Sequence, residues 1–202
     1  MKKGFTLVEL LVVVTVVMLL SVIAIGMYFN SLRTFTYFSN FKNIQSVFRQ
    51  ARSFAISNAS IGAESPERFG VFFTDEEEFY RIFIFADRGE KYLYEEGIDT
   101  IYLTKDYLIP KSKFDIIVSE ANKETPQDYF KFPMAFYYEK STGSFKAFSA
   151  TEGDNPKATQ SIEKSASNFI DILIVSKEND LLKRHLVINQ VSGLAEEYKR
   201  LE

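Results

Sequence analysis

The residue that most requires a chemical explanation is Glu9, a carboxylate near the start of an otherwise apolar stretch. It is the only charged residue between positions 5 and 29, and Lys2 and Lys3 lie just before that stretch. A carboxylate inside a membrane-spanning segment costs roughly 2.5–3.5 kcal/mol on insertion scales, so such a group is normally paired or functional. The pattern therefore predicts a partner or a function for Glu9.

The residues around Glu9 follow a distinctive order, in which Lys3-Gly4 precedes Phe5-Thr6-Leu7-Val8-Glu9-Leu10. This order resembles the processing site of type IV prepilins and type II secretion pseudopilins. The resemblance implies that a membrane prepilin peptidase cleaves after Gly4 and methylates the new N-terminal residue, Phe5. It also implies that Glu9 meets the N-terminal amine of a neighbouring filament subunit. Cleavage creates a cation beside the bilayer, and a carboxylate nearby can neutralise it.

Residues for other chemistry are scarce in this chain. His185 is the only histidine and there is no cysteine, which excludes zinc or iron ligation of a standard kind. The sequence contains no G-x-S-x-G, P-loop or dinucleotide-binding glycine pattern. We read His185 as a surface or core residue, assign no catalytic residue and no cofactor, and favour a structural protein over an enzyme.

A group of acidic residues leaves calcium binding open as an alternative. The carboxylates of this group could supply the oxygen ligands that calcium prefers, although the spacing of the residues matches no EF-hand loop. A related group of major pseudopilins binds calcium. We assign no metal site, and the alternative concerns Asp87, Glu90, Glu95, Glu96 and Asp99.

The element that positions Glu9 is the apolar stretch of residues 5–29. As a helix it would rise roughly 37 Å, which is enough to cross a hydrocarbon core of about 30 Å with some tilt. Lys2 and Lys3 lie just before the N-terminal end of this helix. Because basic residues next to a membrane span favour the cytoplasmic side, they predict a cytoplasmic N-terminus, with Arg33 and all later residues outside. Two alternatives are a secretory signal cleaved near Ala24-Ile25-Gly26 and an uncleaved anchor. Neither explains the order of residues around Glu9.

The helix is predicted to continue beyond the membrane. Large apolar residues recur every three or four positions from Leu32 and Phe35 to Phe54 and Ala55, which is the period of one helix face. We therefore predict one helix over residues 5–58, with its second half packed against a sheet. Gly26 stands where many pilins have proline, and a glycine within a helix costs about 1 kcal/mol relative to alanine.

After Pro66 the pattern changes to short aromatic and β-branched runs separated by turn residues. The predicted fold class is α+β, with the long N-terminal helix packed on a mostly antiparallel β-sheet domain. Residues 151–165 are polar and predict a mobile surface loop. Strands are predicted at 68–74, 79–86, 92–94, 98–104, 114–119, 132–139, 144–149, 168–176 and 182–190.

The order of these elements resembles the minor pseudopilins of the GspH/FimT type. This resemblance implies a leader over residues 1–4, a transmembrane and filament-core helix over 5–29 and an extracytoplasmic pilin-like domain over 30–202. It further implies a single-pass protein of the inner membrane whose partners are other pilin subunits and the prepilin peptidase. The filament could be a pilus, a secretion pseudopilus or a competence pseudopilus.

The alternative function is DNA binding during DNA uptake, which some FimT-like proteins perform with a basic C-terminal segment. Here Lys199 and Arg200 are opposed by Glu196 and Glu197. Removing Lys2, Lys3 and Glu9 from the 24 basic and 27 acidic residues leaves 22 and 26, a net charge of −4. Such a balance gives little general attraction to nucleic acid, so we expect no nucleic-acid partner.

Overall fold

The chain forms one long helix followed by eleven strands in the part that the structure describes. A computed structural model describes residues 6–57, 59, 66–88, 94, 96, 98–101, 106–120, 130–150, 159–161, 169–179 and 181–198. The chain divides into two compact units, Met1–Ser39 and Asn40–Glu202. The elements are α1 Leu7–Ile56, β1 Arg68–Asp75, β2 Phe79–Asp87, β3 Thr100–Ile101, β4 Tyr107–Pro110, β5 Phe114–Glu120, β6 Met134–Glu139, β7 Phe145–Ala150, β8 Thr159–Ser161, β9 Phe169–Ser176, β10 Lys183–Asn189 and β11 Ala195–Tyr198.

The first unit holds the apolar part of α1, and its side chains from Thr6 to Arg33 are exposed. The helix continues through Gly26 without a break. The hydroxyls of Thr15 and Ser21 each donate to the carbonyl four residues earlier, at 2.8 Å. These bonds satisfy the polar groups within the helix itself, as an apolar surrounding requires.

The second unit buries one face of the C-terminal part of α1. Phe41, Ile44, Val47, Phe48 and Ala51 are fully buried there. Their spacing matches the predicted apolar stripe, and the α+β arrangement is confirmed. The stripe was predicted to begin too early, however. The side chains of Leu32 and Phe35 are 45% and 70% exposed.

A seven-stranded sheet packs against this face of α1. Its order is β3-β2-β1-β6-β7-β8, with β4 also paired to β2, and the pairings are antiparallel. The ring of Phe48 lies 5.8 Å from that of Phe73 and 5.2 Å from that of Phe136, measured between centroids. Because side chains alternate along a strand, the opposite face carries a second set of aromatic residues. This second cluster consists of Phe72, Phe83, Phe85, Ala135, Tyr137 and Phe148, with Tyr94 packed against it.

A four-stranded antiparallel sheet, ordered β11-β10-β9-β5, completes the second unit. Strand β9 shows the alternation clearly, since Ile170, Ile172 and Ile174 are fully buried and the residues between them are partly exposed. One face of this sheet therefore contributes to the core.

The strand predictions were correct for the long apolar runs and wrong at several short ones. Residues 151–165 were predicted to be a loop, but strand β8 lies inside this range and pairs with β7, and residues 151–158 and 162–165 lie outside the described part. Strands β4 and β11 were not predicted. The predicted strand at 98–104 is a strand at Thr100–Ile101, and residues 102–105 lie outside the described part. Tyr94 is not in a strand, and residues 92–93 are also outside that part.

Candidate assembly site at the start of the helix

The first turn of α1 is closed by reciprocal hydrogen bonds between Thr6 and Glu9. The main-chain N–H of Thr6 donates to Oε2 of Glu9 at 2.8 Å, and the Thr6 hydroxyl donates to the same oxygen at 2.9 Å. In return, the main-chain N–H of Glu9 donates to Oγ1 of Thr6 at 3.2 Å. The first helical bond runs from the N–H of Leu10 to the carbonyl of Thr6, at 3.1 Å. Thr6 is therefore the N-cap and Glu9 the third helical residue of a capping box.

This arrangement explains how the chain holds a carboxylate at the start of an apolar helix. The first N–H groups of a helix have no partner within it, and the helix dipole favours negative charge at this end. Glu9 supplies an acceptor there, and Thr6 supplies a second one. Sequence reasoning singled out Glu9 but missed its bond to Thr6, although a threonine three residues before a glutamate is itself the sequence signature of a capping box.

The predicted cleavage site lies directly before this turn. Gly4 and Phe5 are outside the described residues, so their predicted roles in cleavage and methylation remain predictions. The described site begins at Thr6, one residue after the predicted new N-terminus.

Comparison with known proteins concerns this same end of the chain. A family model for the prokaryotic N-terminal methylation motif matches residues 1–25. The chain is pilin-like at its N-terminus. The motif is typical of type IV pilins and pseudopilins, and it includes Gly4, Phe5 and Glu9. No curated protein and no solved structure matches the chain.

The helix of this pilin-like chain is suited to anchoring in a membrane. Among the described residues, α1 is the one helix long and apolar enough to cross a bilayer, by length and composition. The segment that would cross it is exposed throughout, whereas the core helix of a soluble protein would be mostly buried. Together with the motif, the helix fits a membrane-anchored, pilin-like chain.

Two of the acidic residues considered for calcium, Asp87 and Asp99, are engaged with other groups in the structure. The carboxylate of Asp87 is buried and lies 2.7 Å from Nε of Arg68. Oδ1 of Asp99 accepts the main-chain N–H of Arg88 at 2.9 Å. Glu96 is exposed, and Glu90 and Glu95 are outside the described residues. Within the part described, no three Asp, Glu, His or Cys side chains come together as a metal site would require.

The only histidine lies on the partly exposed face of the four-stranded sheet. Nδ1 of His185, on β10, is 2.7 Å from Oδ2 of Asp171, on β9. Both side chains are about four-fifths buried. The predicted role of His185 as a surface or core residue fits this pair, which couples two neighbouring strands.

The basic residues considered for DNA binding do not form a cluster in the described part of the chain. Lys183 and Arg184 are adjacent on β10, so their side chains point to opposite faces of the sheet. Arg184 forms an ion pair with Glu197 of β11. Lys199 and Arg200 lie outside the described residues.

Glu197 connects β10 and β11 to the helix. Its Oε2 accepts a hydrogen bond from Nζ of Lys42 at 3.0 Å, and its Oε1 pairs with Arg184. Burial raises the pKa of Glu197, but the hydrogen bond from Lys42 and the charge of Arg184 outweigh it, so the pKa is below its ordinary value. Gln45 also donates to the carbonyl of Ala195, at 3.4 Å. We call the set of Lys42, Arg184 and Glu197 the C-terminal clamp.

Proposed function

We propose that this chain is a minor pilin or pseudopilin of the GspH/FimT type, a structural subunit that joins, primes or caps a membrane-anchored filament. The observation that carries the proposal is the N-terminal methylation motif over residues 1–25. The exposed apolar part of α1 supports it, because such a surface needs either lipid or neighbouring apolar helices around it.

In this proposal the prepilin peptidase cleaves after Gly4 and methylates Phe5. The apolar helix then spans the inner membrane once, with its start at the cytoplasmic side. Residues 30–202 are extracytoplasmic, in keeping with Lys2 and Lys3 before the span. Assembly into a pilus or a type II secretion pseudopilus moves the helix from lipid into a bundle of similar helices.

Glu9 would provide the specific polar contact in that bundle. Cleavage leaves an α-ammonium group at Phe5, and a carboxylate of a neighbouring subunit can neutralise it through a charge-assisted hydrogen bond. In an apolar surrounding an unpaired charge is costly, so pairing favours the one register in which the two groups meet.

Cleavage can be tested by measuring the intact mass of protein extracted from membranes of cells that contain a prepilin peptidase. We expect a chain that begins at Phe5 and carries the mass of one added methyl group. As a control, Gly4→Val places a β-branched side chain at the cleaved bond and should leave the precursor intact. A mature N-terminus at Met27 would instead establish ordinary signal-peptide cleavage and refute the filament proposal.

The role of Glu9 can be tested separately by the variant Glu9→Leu. The change makes the span more apolar, so we expect normal membrane levels and normal processing but loss of incorporation into filaments. Thr15→Val is a matched control, because Thr15 bonds only to its own helix in the structure and the change also removes a polar group from the span. If Glu9→Leu is incorporated as well as the wild type, the pairing role is wrong for this protein.

A further inference from the structure

We propose that a short apolar stripe on α1, formed by Tyr28, Leu32 and Phe35, binds the interfacial layer of the bilayer, where lipid headgroups meet the acyl chains. We call these three residues the juxtamembrane stripe. The inference rests on the membrane anchoring in the proposed function, but it requires neither cleavage nor filament assembly. It gives a role to Leu32 and Phe35, which were predicted to pack against the sheet and are exposed instead.

The three side chains share one face of the helix. They lie four and three residues apart, the spacing at which helical side chains are neighbours on one face. The exposed fractions of Tyr28, Leu32 and Phe35 are 64%, 45% and 70%. From Thr36 to Asn40 the side chains are buried or partly buried. The exposed apolar surface of the helix therefore continues past the predicted span, which ends at Phe29, and stops at Phe35.

The length of the helix places this stripe at the outer surface of the membrane. Starting from Leu7, a helix that rises about 1.5 Å per residue crosses a hydrocarbon core of about 30 Å in about 20 residues. The headgroup regions bring the bilayer to about 40–45 Å, which adds about 5–7 Å on each side. Tyr28 then lies at the boundary of the hydrocarbon and Leu32 lies in the headgroup region. The backbone of Phe35 lies a few ångströms beyond that region.

The direction of helical side chains brings Phe35 back toward the bilayer. Every Cα–Cβ bond of an α-helix is tilted toward the N-terminus, so a long side chain covers the turn that precedes its own Cα. In the proposed orientation the N-terminus of α1 is on the cytoplasmic side, so this direction points into the membrane. The side chain of Phe35 therefore reaches back over the turn that holds Leu32, at the level of the headgroups.

The chemistry of this segment also fits an interfacial layer. The side chain of Tyr28 has an apolar ring and a polar hydroxyl, the combination that is enriched where a membrane meets water. The hydroxyl of Thr34 donates to the carbonyl of Asn30 at 3.0 Å. The hydroxyl of Thr36 donates to the carbonyl of Leu32 at 2.9 Å. These two hydroxyls are bonded within the helix, which lowers the cost of placing the segment where water is scarce.

Lipid is the occupant that the chain itself brings to this face. The span and the stripe belong to one uninterrupted helix, so insertion of the span holds the stripe within roughly 12 Å of the hydrocarbon at the helical rise per residue. Such a link raises the effective concentration of lipid at the stripe. A stable protein interface buries about 800 Å² on each partner, which is far more than three side chains can supply.

The test uses the full chain reconstituted into phosphatidylcholine vesicles at low protein density. The chain contains no tryptophan, so Phe35→Trp introduces a single fluorescent reporter on the stripe. We expect lipids brominated near the headgroup end of the acyl chain to quench it more than lipids brominated near the chain end. Quenching by iodide in the water should be at least about twofold weaker than for Arg49→Trp, at an exposed position further along α1.

Met18→Trp, in the middle of the span, separates this inference from the proposed function. If lipids brominated near the chain end do not quench Met18→Trp, the membrane anchoring is wrong and the stripe has no bilayer to bind. If they quench it while Phe35→Trp is as accessible to iodide as Arg49→Trp, the anchoring stands and the inference about the stripe alone is refuted. Protection of Phe35→Trp that develops only at high protein density would identify a neighbouring helix as the occupant and would also refute the inference.

A pair of double variants tests whether the stripe acts as one surface. Adding Leu32→Gln to Phe35→Trp removes the apolar neighbour of the reporter, so iodide quenching should increase. Asn30→Gln in the same background is a matched control, because Asn30 is exposed and lies off the stripe. It should leave the quenching of Phe35→Trp unchanged. Equal effects of the two added changes would show that the stripe is not the surface that contacts the lipid.

Discussion

The C-terminal clamp provides a quantitative test of how the second unit is held together. Glu197 lies on β11, 155 residues from Lys42 in the helix, and it also pairs with Arg184 on β10. Replacing it with glutamine keeps the shape of the side chain and removes the charge. Glu197→Gln should therefore weaken the attachment of the last strand to the helix without creating a cavity.

The size of the effect follows from how exposed the three side chains are. The side chains of Glu197 and Arg184 are 21% and 22% exposed, whereas that of Lys42 is 58% exposed. A solvent-exposed ion pair contributes roughly 0.2–1 kcal/mol, and a hydrogen bond to a charged group about 1.5–3 kcal/mol. After discounting the Lys42 pair for screening, we expect Glu197→Gln to lower the free energy of unfolding by about 1–2 kcal/mol at neutral pH. For a unit of this size that corresponds to about 2–8 °C in Tm.

The pH dependence has a definite sign. The pKa of folded Glu197 is below its ordinary value of 4.5, which means that the folded state binds the proton less readily than the unfolded state. The stabilisation of the folded state by the charge of Glu197 is therefore complete above the pKa that Glu197 has in the unfolded state. It is lost as the pH falls through the pKa that Glu197 has in the folded state. The difference in stability between wild type and Glu197→Gln should be constant above about pH 5.5 and should shrink as the pH falls below about 4.5.

Thermal unfolding of the two proteins across this pH range checks the prediction, on a fragment that begins at Asn30. Glu196→Gln is a matched control, because Glu196 is the preceding residue on β11 and is exposed. That change should alter Tm by much less than Glu197→Gln does. Equal effects of the two changes, or a difference for Glu197→Gln that stays constant down to pH 3, would refute the reasoning.

Three further predictions concern the same fragment. The fragment itself should be soluble and folded, because the apolar helix face from Phe41 to Ala51 is buried against its strands, and aggregation in gel filtration would contradict this. Gly70→Ala should cost about 1–3 kcal/mol in chemical unfolding, because the added Cβ would lie 2.4 Å from the buried ring of Phe85. Phe85→Leu should offset part of that loss in the double variant, and additive losses would count against the contact. At physiological salt the fragment should not bind labelled duplex DNA, and micromolar binding that disappears on replacing Lys199 and Arg200 would favour the DNA-uptake function.

The long helix and the β1–β2 hairpin could be predicted because their determinants are local. Apolar residues repeat at the helical period up to Ala55, and two aromatic runs flank the acidic residues 75–78. In the structure these runs pair in the register that brings Phe72 opposite Phe83. Both features depend on residues that are close together in the sequence, which is the information that periodicity carries.

The short strands could not be predicted because partners distant in sequence decide them. Strand β11 contains two adjacent glutamates, and it pairs with β10 while Glu197 binds Lys42 and Arg184. Strand β4 has four residues and ends at Pro110, a residue that usually argues against a strand. Its pairing at the edge of the sheet, beside β2, makes proline acceptable there.

Two glutamates illustrate why the candidate assembly site could be predicted from sequence and the C-terminal clamp could not. Glu9 and Thr6 are three residues apart, so both the charge in the apolar stretch and its capping partner are visible in the sequence. Glu197 gains its partners only when the chain folds, and nothing near it in sequence indicates them. A filament subunit of the proposed kind needs its assembly contacts at a fixed place on one helix, where local sequence determines geometry. The partners of Glu197, by contrast, depend on the tertiary fold of the second unit, and many different core sequences can support one fold.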